Sequence, residues 1–334
     1  MVADDSSVPR ITNDSVAEHR EEVLGRARKF IYPLRHSRRR VVKLSVGIAV
    51  TAIIVFLVGS TLALYRFQST SSFMYGVTRV LPFPVARADG RFVSYESYLF
   101  ELRHYIHYYQ QQQDVNFQTK SGQRQLASLK QRSLDQAINR AYVAKLASEH
   151  HVHVSAQEVN DQVAIARSEN RLGASDAVFK SVLKEFWGWT LTDFKRELRL
   201  ELLDQKVAAA MDTATTAHAN SAYRQLQQGA DFAKLAAKVS DDKATAASGG
   251  KYGFDITASN RDLSPQVVQA ILTLKKGQYS QVINTGYTLE IVKVLNIDGE
   301  KRQAAHIAFT YQDISKYTTP LRKQHPATKY IHLK

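Results

Sequence analysis

Cysteine is absent from the 334 residues, which excludes a disulfide scaffold and any chemistry carried by a thiolate. Its absence leaves a place outside the cytoplasm open, because a chain this long can be held by its apolar core alone. Acidic residues are outnumbered, 31 Asp and Glu against 45 Lys and Arg, for a net charge of +14. Such a surplus raises nucleic acid as a partner. No nucleic-acid motif accompanies it, and many of the basic residues crowd the stretch before residue 44, so no nucleic-acid partner is expected. Charge itself is missing from residues 44–65, LSVGIAVTAIIVFLVGSTLALY.

These 22 residues would make a helix about 33 Å long, enough for a hydrocarbon core of about 30 Å. Within lipid the backbone must pair internally, so Leu44 to Tyr65 is expected to be one transmembrane helix. Arg26, Arg28, Lys29, Arg35, Arg38, Arg39, Arg40 and Lys43 precede it, whereas Arg66 and Arg79 are the basic residues nearest after it. The positive-inside rule then puts the basic tail 1–43 in the cytoplasm and the bulk of the chain outside a cytoplasmic (inner) membrane. A cleaved signal peptide would have an apolar core of about 7–15 residues close to the start. An uncleaved signal anchor fits better.

Residues 1–18 are polar and read as disordered, and 16–31 as a short basic helix. Residues 66–84 read as a linker ending in Leu81-Pro82-Phe83-Pro84. Asp89-Gly90, between short alternating runs, predicts a hairpin over 85–93. Ser94 then caps a helix on which Tyr98, Leu102, Tyr105, Ile106 and Tyr109 share a face. Further helices are expected over 123–149, from 156 to about Leu172 with Gly173 as its stop, over 176–187, and over 191–211. Ser155 and Glu158 form a capping box, and Thr190 is a cap. No paired-carboxylate or nucleophile pattern occurs in this helical domain, 85–215. His104 with His107, and His150, His151 and His153, read as packing and helix-end residues, and no metal is expected. Tyr105 and Trp187 are candidate peptide contacts.

The composition changes after residue 239, within a second domain expected over 216–311. One helix bent near Gly229 is expected over 221–239, then a loop with Gly249, Gly250 and Gly253, and a helix over 265–274. Strands are predicted over 281–285, 288–295 and 304–311, with a basic, loose tail from 316 onward. The fold class is therefore multidomain: a transmembrane helix, an all-α domain, and an α+β module, 216–311, with a small antiparallel sheet. Residues 312–334 form the tail.

The pieces GADFAKLAAKVSDD, LSPQVVQAILTLKKGQYSQVI and GYTLEIVKV, with the glycine loop between the first two, resemble the parvulin (PpiC, rotamase) family of peptidyl-prolyl isomerases. DGRFVSYESYLFELR, LDQAINRAYVAKLASEHHVHVSAQEVNDQV and TLTDFKRELRLELLDQKV resemble the amino-terminal region of SurA-like and PrsA-like foldases. These resemblances imply a membrane-anchored foldase or chaperone that binds unfolded or nascent secreted polypeptides and needs no cofactor. The implied chemistry is rotation about an X–Pro bond, over a barrier of about 20 kcal/mol and with no bond broken.

Carried over by position, the family's Cys or Asp falls on Asp242, or on Asp241 in a shorter reading of the loop. The pocket Met or Leu falls on Leu263 and the following Phe on Val267. The His after the GY pair falls on Thr288 or Glu290. Tyr252 and Phe254 are candidate replacements for the lost aromatic wall. The family's opening strand is missing before residue 221, but QAAHIAF, 303–309, resembles it. Two alternatives follow for 303–311: a permuted strand that brings His306 toward Asp242, or the start of a truncated second module. Three functions remain open: a foldase with weak or lost catalysis, an isomerase using Asp242 and His306, or a non-catalytic envelope assembly protein. The oligomeric state is not legible.

Overall fold

In the computed structural model residues 12–31, 34–168 and 175–333 are described, with the backbone alone for 28–31 and 34–40. The chain divides into two compact units, Met1–Ser69 and Thr70–Lys334. In the first unit, helix α1 spans Asn13–Ile31. Thr12 and Ser15 cap it reciprocally, Thr12 N donating to Ser15 Oγ at 3.1 Å and Ser15 N to Thr12 Oγ1 at 3.3 Å. The expectation of disorder up to residue 18 is therefore corrected for 13–18, where this cap starts the helix early. Helix α2 covers Leu34–Thr61 and continues as a π-helical turn, Leu62–Arg66. Val41–Arg66, 26 residues, is long and apolar enough to cross a membrane. The side chains of Arg28, Lys29, Arg35, Arg38, Arg39 and Arg40, and the stop expected at Gly173, lie outside the described residues.

The second unit opens with α3, Ser72–Val80, inside the expected linker. Ser71 caps it, and Arg103 ties its start down by donating to Thr70 O at 2.5 Å and Ser72 Oγ at 2.9 Å. The linker reading is corrected accordingly. Strands β1 (Pro84–Ala88) and β2 (Arg91–Ser94) pair antiparallel around Asp89 and Gly90, whose φ angles of 43° and 83° make the tight turn. Next come α4 (Tyr95–Gln112), α5 (Lys120–Glu149), α6 (Ala156–Ser168), α7 (Asp176–Trp187) and α8 (Leu191–Met211). Tyr95, Tyr98, Leu99 and Leu102 of α4 and Leu134, Ile138 and Tyr142 of α5 are buried to 2% exposure or less, which makes these two helices the centre of the core. Arg140 lies between Glu101 and Glu197, and Arg196 grips both oxygens of Glu96 at 2.5 and 3.0 Å. The Ser155–Glu158 and Thr190–Asp193 capping boxes are formed.

The one bent helix is instead two, α9 (Thr213–Gln227) and α10 (Phe232–Val239). Gly229 sits at φ 91°, and the Asp231 carboxylate accepts Lys234 N at 2.8 Å, so a turn and a fresh cap replace a kink. A short α11 (Lys243–Ala246), then α12 (Pro265–Thr273), lead to β3 (Ile283–Asn284), β4 (Thr288–Asp298) and β5 (Lys301–Thr310). The sheet order is β3-β4-β5, all antiparallel.

The carboxy terminus is not loose. Helix α13 (Ser315–Gln324) lays Tyr317 and Leu321 against Val143, Leu146 and Ala147 of α5. Tyr142 Oη donates to His325 O at 2.5 Å. Strand β6 (Thr328–Lys329) joins β1 as a third strand, and Ile331 beyond it is 3% exposed. Apolar side chains one turn apart in a basic segment were enough to hold it down. The described architecture is thus a largely helical part and a small antiparallel sheet, as the fold class anticipated.

Candidate active site

Strand β5 ends the order β3-β4-β5, yet its outer side is not free: loop residues 240–256 cover it through hydrogen bonds and isolated bridges. On one side it pairs with β4 over its whole length. On the other, Ser240 Oγ accepts Ala308 N at 3.1 Å and Asp241 N donates to Ala308 O at 2.8 Å. Farther along this side, His306 N donates to Gly250 O, Tyr252 N to Ala304 O and Ile256 N to Arg302 O. Residues 304–309 are buried without interruption, as a strand covered on both faces must be. Ala305, Ile307 and Phe309 meet Leu226, Phe232 and Leu235, whereas Ala304 meets Val267, Val268 and Ile271. His306 shares the Ala304 face by the two-residue period.

Two glycines let the loop reach this strand. Gly250 lies at φ 77°, and a Cβ there would stand 2.0 Å from His306 O. Gly249 lies at φ 73°, and its Cβ would stand 2.6 Å from that of Ala233. No side chain fits at either position without moving backbone or core.

The loop delivers Asp242 to the imidazole. Asp242 caps α11 through Oδ1, which accepts Ala244 N at 3.0 Å. Its Oδ2 accepts Thr245 Oγ1 at 2.6 Å and stands 2.9 Å from His306 Nε2. Asp241 turns away and accepts Thr310 N at 2.9 Å. Glu290, diagonal to His306 on β4, approaches its other ring nitrogen, Oε2 to Nδ1 at 3.0 Å. Thr288 Oγ1 donates to Glu290 Oε1 at 3.1 Å and Tyr252 Oη to Oε2 at 3.3 Å. The Tyr252 ring lies 4.4 Å from the imidazole.

Both ring nitrogens therefore face carboxylates, which suits an imidazolium donating from each. Burial pulls the His306 pKa down, but hydrogen bonds and charge from Glu290 and Asp242 outweigh it and raise it above 6.5. Asp242 is held below the ordinary carboxylate value, first by Thr245, with burial opposing and the hydrogen bonds from His306 and Ala244 assisting. Burial and the neighbouring Glu290 raise the Tyr252 hydroxyl well above its usual range, so it stays a donor. The arrangement is a fixed polar row, Asp242–His306–Glu290, with an aromatic ring along it.

Leu263 is half-buried beside this row's core, and Phe254, 42% exposed, stands 5.7 Å from Tyr252. Val267, offered from sequence as a peptide contact, is 1% exposed and packs inside with Ile271 and Val292. Helix α12 turns this position to the core. Tyr105 is half-buried on α4, donating to Gln136 Oε1 at 3.0 Å under the guanidinium of Arg132. Trp187 lines a separate small cleft with Phe100, His104 and Trp189, and the structure does not bring it to Tyr105. Tyr98 is 1% exposed and belongs to the core. His104 stacks on Trp189, and burial lowers its pKa to about 4. Sequence reasoning missed Thr245, three residues beyond Asp242 at a spacing that suits a cap, and Ser240, which anchors β5.

Comparisons with known proteins agree with this architecture. Residues 34–208 match the SurA-like N-terminal domain, and residues 201–296 the PPIC-type PPIase (rotamase) domain. The first match covers more than half of the chain, which therefore belongs to the family with a SurA-like N-terminal domain and carries a PPIC-type rotamase domain. A parvulin-like PPIase of Rickettsia bellii is 39% identical over 77 residues, 23% of this chain and 27% of that one. The foldase protein PrsA of Pediococcus pentosaceus is 27% identical over 154 residues, 38% of this chain and 51% of that one. A solved PrsA structure from Streptococcus pneumoniae matches at 21% identity over 57% of this chain and 75% of that one, with a TM-score of 0.18, too small to compare architectures. The chain thus spans about a quarter to a half of the length of these two curated relatives. The rotamase match ends at residue 296, before β5 and His306.

Proposed function

We propose that the protein is a membrane-anchored extracytoplasmic foldase that binds unfolded polypeptides and rotates X–Pro bonds at Asp242, His306 and Glu290. Helix 44–65 is the anchor in this reading, with the amino terminus inside. One observation carries the catalytic part: His306, from a strand beyond the rotamase match, lies 2.9 Å from Asp242 and 3.0 Å from Glu290. Strand β5 takes the place of the missing opening strand, entering from the other end of the sequence.

Rotation passes through a twisted amide in which conjugation between carbonyl and nitrogen is lost. A site accelerates it by binding that twisted state better than either planar one. Leu263, Tyr252 and Phe254 supply apolar contact for the prolyl ring. The Asp242–His306–Glu290 row supplies fixed charges and donors around the turning carbonyl, already oriented before the substrate arrives. Its proton stays on His306 throughout, so no proton transfer is required.

The inward position of Val267 favours a second reading, in which the module binds peptide without catalysis. Prolyl isomerisation of a test peptide by the full chain in lipid nanodiscs, with Asp242→Ala and His306→Ala beside it, separates the two. Acceleration that falls in both variants supports the isomerase. No acceleration, with aggregation of an unfolded client still suppressed, supports the binding module and overturns the catalytic assignment.

A further inference from the structure

Helix α3 has two faces of opposite fate. Val77 and Thr78 are buried against the rest of its unit, and Tyr75 Oη donates to Glu96 at 3.1 Å. Arg103 fixes its start through Thr70 and Ser72. The other face carries Phe73, 66% exposed, and Val80, 80% exposed, with Gly76 between them open to solvent. Positions 73, 76 and 80 follow the three-and-four spacing of one helical stripe. A helix pinned on one side does not leave a Phe and a Val in water by looseness.

Chain length says what covers this face. The apolar segment ends at Arg66 and α3 begins at Ser72, so residues 67–71 alone intervene. Even fully extended they reach about 18 Å. The polar headgroup layer is itself about 5–8 Å deep on each side of the hydrocarbon. The α3 helix is therefore tethered next to the lipid surface wherever the segment spans a bilayer. The sequence around it, Tyr65-Arg66-Phe67 and then Phe73-Met74-Tyr75, is rich in the aromatic residues that settle at such interfaces. Arg79, exposed in the last turn, adds a cation suited to lipid phosphate.

We infer that α3 lies in the outer lipid headgroup layer on its Phe73–Gly76–Val80 face, and so holds the folded unit at the membrane surface. This rests on the reading of 44–65 as a spanning anchor. The lack of native cysteine allows single-site labelling. Full-length Gly76→Cys, labelled with an environment-sensitive fluorophore, goes into phosphatidylcholine–phosphatidylglycerol vesicles carrying nitroxide lipids at shallow or deep positions. Val55→Cys reports on the anchor and Asn260→Cys on a half-buried turn of the sheet part. The expected result is quenching of the Gly76 label about twofold stronger with shallow than with deep nitroxide, and deep quenching at Val55. In Phe73→Ser/Val80→Ser the Gly76 signal should fall to that of Asn260. If Val55 is quenched and Gly76 behaves like Asn260, the inference is overturned and the anchor stands. If quenching at Gly76 survives the double substitution, this face is not what holds the helix. If Val55 is not quenched, the anchor reading itself falls, and the inference with it.

Discussion

The helical part and the sheet part each bury a row of charges, and the two rows are built differently. In the helical part the centre is a guanidinium: Arg140 between Glu101 and Glu197, 14% exposed, from helices α5, α4 and α8. In the sheet part the centre is an imidazole: His306 between Asp242 and Glu290. A guanidinium cannot lose its proton in a protein, so the first row is a strut whose centre keeps its charge. An imidazole can, so the centre of the second row is titratable, and a half-buried aspartate stands at its mouth. Burial alone does not mark a site. The two rows differ in that the second ends at a half-buried aspartate that meets solvent.

The largest effect should come from breaking the strut. Arg140→Ala leaves Glu101 buried beside Glu197 and should cost about 3–5 kcal/mol, read by denaturant unfolding. Isomerisation per folded molecule should not change. Burial already raises the Glu101 pKa to about 7, against the pull of Arg140 and with Glu197 adding to it, so the loss should be smaller at pH 5 than at pH 8. Gly250→Ala comes next. Its methyl group would meet His306 O and should cost about 3 kcal/mol, along with the activity, because β5 and the loop move apart. His306→Gln reverses the pattern of Arg140→Ala: stability changes by about 1 kcal/mol, while turnover falls about a hundredfold.

Smaller again is the pH dependence. The raised pKa of His306 adds stability that is complete below about pH 6.5 and is lost as pH rises through the higher folded value. The lowered pKa of Asp242 adds stability present above about pH 3.8 and lost as pH falls below it. The alkaline loss should vanish from thermal unfolding of His306→Gln, and it should persist in Arg140→Ala. Tyr252→Phe, which removes one donor at 3.3 Å, should cost less than about 1 kcal/mol.

Much of this was legible in the sequence because it is local. Caps at Ser94, Ser155 and Thr190, the turn at Asp89-Gly90 and the uncharged run 44–65 each announce themselves within a few residues. Asp242 and His306 were both nameable, since each sits in a stretch that resembles its family. What was not legible depends on contacts across the chain. Residues 316–333 look like a solvated tail until α5 and β1 supply the surfaces they cover. Val267 carries the right residue type for a pocket wall, but the direction it faces is set by how α12 lies on β4. Both aspartates touch β5, and the choice between them turned on which one faces His306, a matter of register and not of composition.

The claim that β5 carries half of a working site into the rotamase module is tested most directly by a double-mutant cycle on the rate of prolyl isomerisation. Asp242→Asn, His306→Gln and the double variant are compared with the unaltered full chain in nanodiscs. The account predicts that each single change slows turnover strongly and that the double change adds little to either, because both break one row. Two independent, additive losses, or no loss in His306→Gln, would contradict it.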